Sequence, residues 1–179
     1  MKNILLLAAL FTLTTLTAQE KLEINWPKAS RLVVSNVETE AVESANGPVN
    51  MITTEWLEEG HTIDTSITTA LLLTLEGLVI PDLQTFADAS IEEWEAMGVT
   101  TTVTVLESGI TNRSKNYLLF SLTMPKTDID VPCSLLYYAL ASDENTYLAY
   151  VSVDGESFPK GFVEEYTKVF KESKLAEGK

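Results

Sequence analysis

The hydrophobic pattern of this 179-residue chain changes character several times along its length. It opens with Met1-Lys2-Asn3 and then runs from Ile4 to Leu13 with almost no polar interruption. A charged start, a short apolar stretch and a small residue at Ala18 form the pattern of a cleavable export signal. The run is short for a membrane span, which needs about 20 residues. Export with cleavage after Ala18 is the expectation, although Leu16 stands where a smaller residue is usual. That leaves residues 19–179 as one domain, soluble and without stable membrane insertion.

Beyond the signal, Arg31 to Val37 reads as a strand, and Met51 to Leu57 as a second, rich in β-branched and aromatic residues. Between them, Glu38 to Asn50 shows no apolar period and contains Asn46-Gly47-Pro48, so it reads as a loop within the domain. Gly60-His61 turns the chain. Ile63 to Leu75 is ambiguous: Ile67, Ala70, Leu71 and Leu75 share a helical face, with Thr65 or Ser66 to cap it and Gly77 to end it, whereas its threonines favour strand. The spacing predicts a helix. Pro81-Asp82 opens another, with Leu83, Phe86, Ala87, Trp94 and Met97 on one stripe. Gly98 suits its left-handed C-terminal cap, with a break near Ser90 as the alternative.

Four strands are expected next: Val99 to Glu107, Tyr117 to Met124, Ser134 to Ala141 and Tyr147 to Val153. In the second, Leu118, Phe120 and Leu122 alternate onto one face. The third is apolar on both faces, as in a strand covered on each side. Asp143-Glu144-Asn145 is short enough to make the last two antiparallel neighbours. A final helix carries Phe162, Val163, Tyr166, Val169 and Phe170 on one stripe. Ser157 is its expected cap and Pro159 lies in its first turn, and a Glu164–Lys168 pair is permitted. The fold class this implies is α+β, an antiparallel β-sheet flanked by amphipathic helices.

Charge sharpens the picture. The formal net charge is −14, and removing Lys2 with the signal makes it −15. No Lys or Arg occurs between Arg31 and Arg113, a stretch holding fourteen carboxylates. Such a field repels phosphate backbones, so no nucleic acid is expected as a partner. Two readings remain: acidic residues that keep an exported protein soluble, and a basic protein partner.

Few residues suggest chemistry, and no catalytic, cofactor or metal site emerges. Cys133 is the single cysteine and sits among leucines and tyrosines without a neighbouring base, as a buried structural thiol would. His61 is the single histidine, which excludes multi-histidine metal sites, and reads as lying in an exposed turn. Asp128-Ile129-Asp130 offers two carboxylates without the rest of a calcium loop. Glu58-Glu59, Glu92-Glu93 and Glu164-Glu165 are adjacent pairs that need not converge. Asn112-Arg113-Ser114 matches a glycosylation sequon. Trp94 reads as core, Trp26 as an anchor for the N-terminal segment, and Trp56 as a candidate partner-facing patch.

From Pro81 onward the order of elements resembles the PsbP-like superfamily, which includes DcrB-like bacterial envelope proteins. The likeness lies in the helix opening Pro81-Asp82-Leu83-Gln84-Thr85-Phe86-Ala87-Asp88-Ala89. It continues through Ser134-Leu135-Leu136-Tyr137-Tyr138, Tyr147-Leu148-Ala149-Tyr150-Val151 and the closing segment Phe158 to Tyr166. The resemblance implies a helix-flanked antiparallel sheet and a non-enzymatic role in binding other proteins, without assigning any residue a function. Functionally, the expectation is an exported binding or accessory protein of the bacterial envelope. A small-ligand carrier with an apolar cavity and a carboxylate-dependent hydrolase are the alternatives.

Overall fold

The computed structural model describes residues 20–44, 47–96, 98–99, 101–111, 115–125 and 132–177. The expected signal at 1–18, Met97, the sequon and the Asp128–Asp130 pair lie outside the described residues.

Among the described residues, nine strands and two α-helices follow one another as β1 (Glu20–Glu23), β2 (Leu32–Ser44), β3 (Gly47–Glu58), β4 (Thr68–Glu76), α1 (Gln84–Ala96), β5 (Thr102–Ile110), β6 (Asn116–Met124), β7 (Cys133–Ala141), β8 (Thr146–Asp154), α2 (Phe162–Lys171) and β9 (Lys174–Glu177). Seven strands form one sheet in the order β2-β3-β4-β8-β7-β6-β5, with every neighbouring pair antiparallel. β1 and β9 pair separately, joining the two ends of the described chain. The class is α+β, dominated by antiparallel sheet.

The centre of the sheet is buried on both faces because β6 and β7 are apolar at consecutive positions. Leu119, Leu136, Tyr138, Leu140, Tyr147, Ala149 and Val151 pack on one side with Phe162, Tyr166 and Phe170 of α2. Tyr138 and Phe170 stack with ring centroids 5.4 Å apart. Leu118, Phe120, Leu122, Leu135, Tyr137 and Ala139 pack on the other side with Leu83 and Ala87, and with partly buried Phe86 and Trp94. Period-2 alternation thus sends neighbouring side chains to two different cores.

Several expectations need correction. Residues 63–75 do not form a helix: β4 begins at Thr68 and pairs with both β3 and β8. The leucines at 71, 72 and 73 suit a strand with apolar contacts on both faces, and the β-branched threonines fit a pleated surface better than a helical one. Glu38 to Asn50 is not a loop but most of a long hairpin, β2 pairing with β3 from Leu32↔Glu58 to Ser44↔Gly47. Of the expected turn residues Asn46-Gly47-Pro48, Gly47 takes φ 109°, a conformation that favours glycine, and Asn46 lies outside the described residues. α2 starts at Phe162 behind Gly161, whose φ is 82°, so Ser157 does not cap it. Lys168 pairs with Glu172 at 3.9 Å and not with Glu164. α1 runs through Ser90 unbroken. At its end Gly98 takes φ 79° and Val99 N–H reaches the Trp94 carbonyl at 2.9 Å, as a left-handed cap requires.

Candidate functional site

The first part of the acidic stretch, to Glu76, folds into the arm β2–β3–β4, and the rest runs through α1 into β5. β2 is the edge strand, and none of its residues is buried. Val33, Val34 and Val37 are 45%, 56% and 58% exposed. They share the strand with the exposed carboxylates Glu38, Glu40 and Glu43. A bulge between Val34 and Asn36 interrupts the register with β3. Bulges add twist to an edge, while the outer backbone groups beyond it stay open to pairing. Ser35 Oγ donates to Glu55 Oε2 at 3.1 Å and Asn36 Nδ2 to Glu38 Oε1 at 2.9 Å, so these carboxylates accept bonds from neutral groups. Arg31 meets Glu59 at 3.1 Å at the base of the arm.

Beneath β1 and against this arm lies a cavity of about 370 Å³, walled by Leu22, Ile24, Val37, Ile52, Trp56 and Leu72. The side of the cavity formed by β1 is fixed from below. Asn145 Nδ2 and Tyr147 Oη both donate to the Glu20 carbonyl, at 3.2 and 2.8 Å. Burial pushes the Tyr147 hydroxyl up to about 12, which keeps it a donor. Asn145 Oδ1 also accepts from Gly77 N–H at 2.9 Å, and buried Thr146 bonds the Leu78 carbonyl and Ile80 N–H, both at 2.8 Å. The short β7–β8 turn therefore ties together β1, the end of β4 and the approach to α1.

A second cleft, about 530 Å³, lies where the C-terminal end of α2 meets the loop after β5; its lining includes Lys115, Tyr138, Lys171, Ser173 and Lys174. Two of its lysines already have counter-ions. Lys171 Nζ lies 2.6 Å from Glu107 Oε1, and Tyr117 Oη donates to the same oxygen. Lys171, and then the Tyr117 hydroxyl, hold the Glu107 carboxyl below its usual range, while Glu107 holds Tyr117 and Lys171 above theirs. Lys115, with a side chain only 14% exposed, pairs with Asp143, which is 85% exposed. Burial raises the Tyr138 hydroxyl to about 12. The arrangement clamps α2 to the β5 edge and offers a neutral hydrogen-bonding wall, with no strongly basic group left unpaired except exposed Lys174.

The residues singled out by sequence do not converge. Cys133 is half-buried against the α1 side of the sheet. His61 is exposed, its Nδ1 donating to the Thr65 carbonyl at 2.8 Å. Glu58 accepts from Thr68 N–H at 3.1 Å whereas Glu59 faces Arg31, so this pair diverges. Glu92, Glu164 and Glu165 are exposed on helices. Trp56 is half-buried and lines the cavity beneath β1; Trp26 packs edge-on against it at 5.6 Å, and also against Phe170 at 5.9 Å, which does anchor the N-terminal segment. Trp94 is partly buried. Among the described residues no three His, Cys, Asp or Glu side chains gather as a metal site would require, and no helix is long and apolar enough to cross a membrane. Neither the Glu20–Asn145–Tyr147 network, which joins residues more than 120 positions apart, nor the cavity, whose lining runs from Glu20 to Glu76, has a local sequence signal.

No protein-family model matches the chain, and no curated protein is matched. Among solved structures, the crystal structure of the Ran-binding protein Mog1p of Saccharomyces cerevisiae is similar at 10% identity with a TM-score of 0.45, the match covering 78% of this chain and 96% of that one.

Proposed function

We propose that this chain is an exported, non-enzymatic binding or accessory protein of the bacterial envelope that grips a basic, extended segment of a partner protein along β2. One observation carries the reading: a thirteen-residue edge strand, unburied throughout, with exposed valines in its first half and exposed carboxylates in its second. An added strand satisfies the open backbone groups of such an edge, and alternating side chains supply specificity. The valines offer apolar contact and Glu38, Glu40 and Glu43 offer opposite charge to lysine or arginine across the pair. The far edge, β5, carries one carboxylate, Glu107, already paired with Lys171. Export rests on the opening sequence pattern. The PsbP-like reading of the fold rests on the order of elements after Pro81, and the envelope role on that likeness.

The test is affinity capture from envelope extract with the wild-type domain and with a Glu38→Lys/Glu40→Lys/Glu43→Lys variant, washed at low and high salt. The proposal expects a partner held at low salt by the wild type, released at high salt, and absent from the variant. Equal capture by both proteins would overturn it.

A further inference from the structure

We infer that the cavity beneath β1 is a binding site for a small amphiphilic cation: an apolar chain or ring bearing a protonated amine. The walls from Leu22, Val37, Ile52, Trp56 and Leu72 on β1 to β4, with Ile24 just after β1, give an apolar interior. At about 370 Å³ the cavity falls at the small end of ligand sites, which run from about 300 to 1,000 Å³. Its polar lining is selective in sign. Glu20, Glu23 and Glu76 line it against one cation, Lys21, whose side chain is exposed.

Glu20 supplies the second, independent observation. Its Oε2 is buried and has no hydrogen-bond partner among the described residues. Buried acceptors of this kind are nearly always satisfied, and an unpaired one marks a place where a donor belongs. Glu76 differs, since its Oε2 accepts from Asn50 Nδ2 at 3.2 Å. Asn145 and Tyr147 hold the Glu20 carbonyl, which fixes the backbone from which this half-buried side chain reaches. Behind the wall, the Trp26 indole N–H is likewise buried without a partner. An ammonium group donates to Glu20 and its apolar tail lies along Trp56 and Ile52. A carboxylate of the same length is repelled, and an alcohol donates a bond without the opposite charge. The site shares Val37 with the β2 edge, but its polar anchor is Glu20 on β1, and it stands if strand addition at β2 fails.

Calorimetric titration of the purified chain with octylammonium, octanoate and octanol tests this, with tryptophan fluorescence as a parallel readout through Trp56. Saturable one-to-one binding of octylammonium, at least about tenfold tighter than octanoate, is expected. Glu20→Gln should keep the fold, by circular dichroism, and erase the preference for the amine. Ile52→Trp should fill the cavity and abolish binding of all three probes. Absence of saturable octylammonium binding, equal affinity for octanoate, or an undiminished preference in Glu20→Gln would each overturn the inference.

Discussion

β2 and β7 are strands of one sheet with opposite relations to water. Every residue of β7 after Cys133 is buried, on both faces. No residue of the longer β2 is buried on either. β7 is held by two cores, one beneath α2 and one beside α1, whereas β2 is held chiefly by its ladder to β3. Burial of apolar area supplies most of a domain's stability, so β7 belongs to what holds the fold together. A long strand that contributes little to the core, yet keeps a charged and partly apolar edge open, is the feature on which the proposed strand addition rests.

The comparison is broken most strongly by truncation in the centre. Leu136→Ala should destabilise the domain by about 3 kcal/mol, within the usual span for buried leucine, whereas Val37→Ala should change it by no more than about 0.5 kcal/mol. Urea unfolding measures both, and equal losses would mean β2 is part of the core. Alkaline pH should act on the centre next. Burial raises Tyr138 and Tyr147 to about 12 in the fold against 10 for an unfolded tyrosine. Between these values the folded state holds more protons than the unfolded state, so stability falls as pH rises from 10 to 12 and is fully present below 10. Each tyrosine contributes on the order of 2–3 kcal/mol to that loss, read from unfolding midpoints across the window.

Asn145→Ala tests the junction between the regions. It removes two donors and an acceptor from a buried site and leaves Gly77 N–H without its acceptor. A loss of about 1–3 kcal/mol is expected, with faster amide exchange in β1 before the rest of the sheet. The smallest effect belongs to the surface clamp. Lys171→Gln should return the Glu107 carboxyl upward towards its ordinary value, followed by nuclear magnetic resonance titration, with little change in stability.

How much of this was legible follows the same divide. β6 to β8 and the stripe Leu83, Phe86, Ala87, Trp94 could be read because each element alternates or repeats against a core it touches directly, whereas β5, an edge strand with no buried residue, runs three residues later than the expected Val99 to Glu107. Tyr147, Ala149, Val151 and Val153 do fall on one face. β2 beyond Val37 could not be read, since a strand exposed on both faces leaves no apolar period. β4 misled because Ile67, Ala70, Leu71 and Leu75 meet helical spacing by coincidence while sheet pairing decides the outcome. β1 and β9 have four residues each and exist only through pairing with one another. The cavity depends on the same long-range closure, so neither Glu20 nor Ile52 carries a local mark of its role.

The central claim is that the β2 edge receives a basic strand. The most direct measurement is a nuclear magnetic resonance titration of the domain with a short peptide of alternating lysine and valine, beside one of alternating glutamate and valine. The account predicts that the lysine peptide shifts and protects backbone amides between Val33 and Val42, with binding that weakens as salt is raised, and that the glutamate peptide does neither. Shifts confined to β5 or to the cleft around Lys171, or equal responses to both peptides, would contradict it.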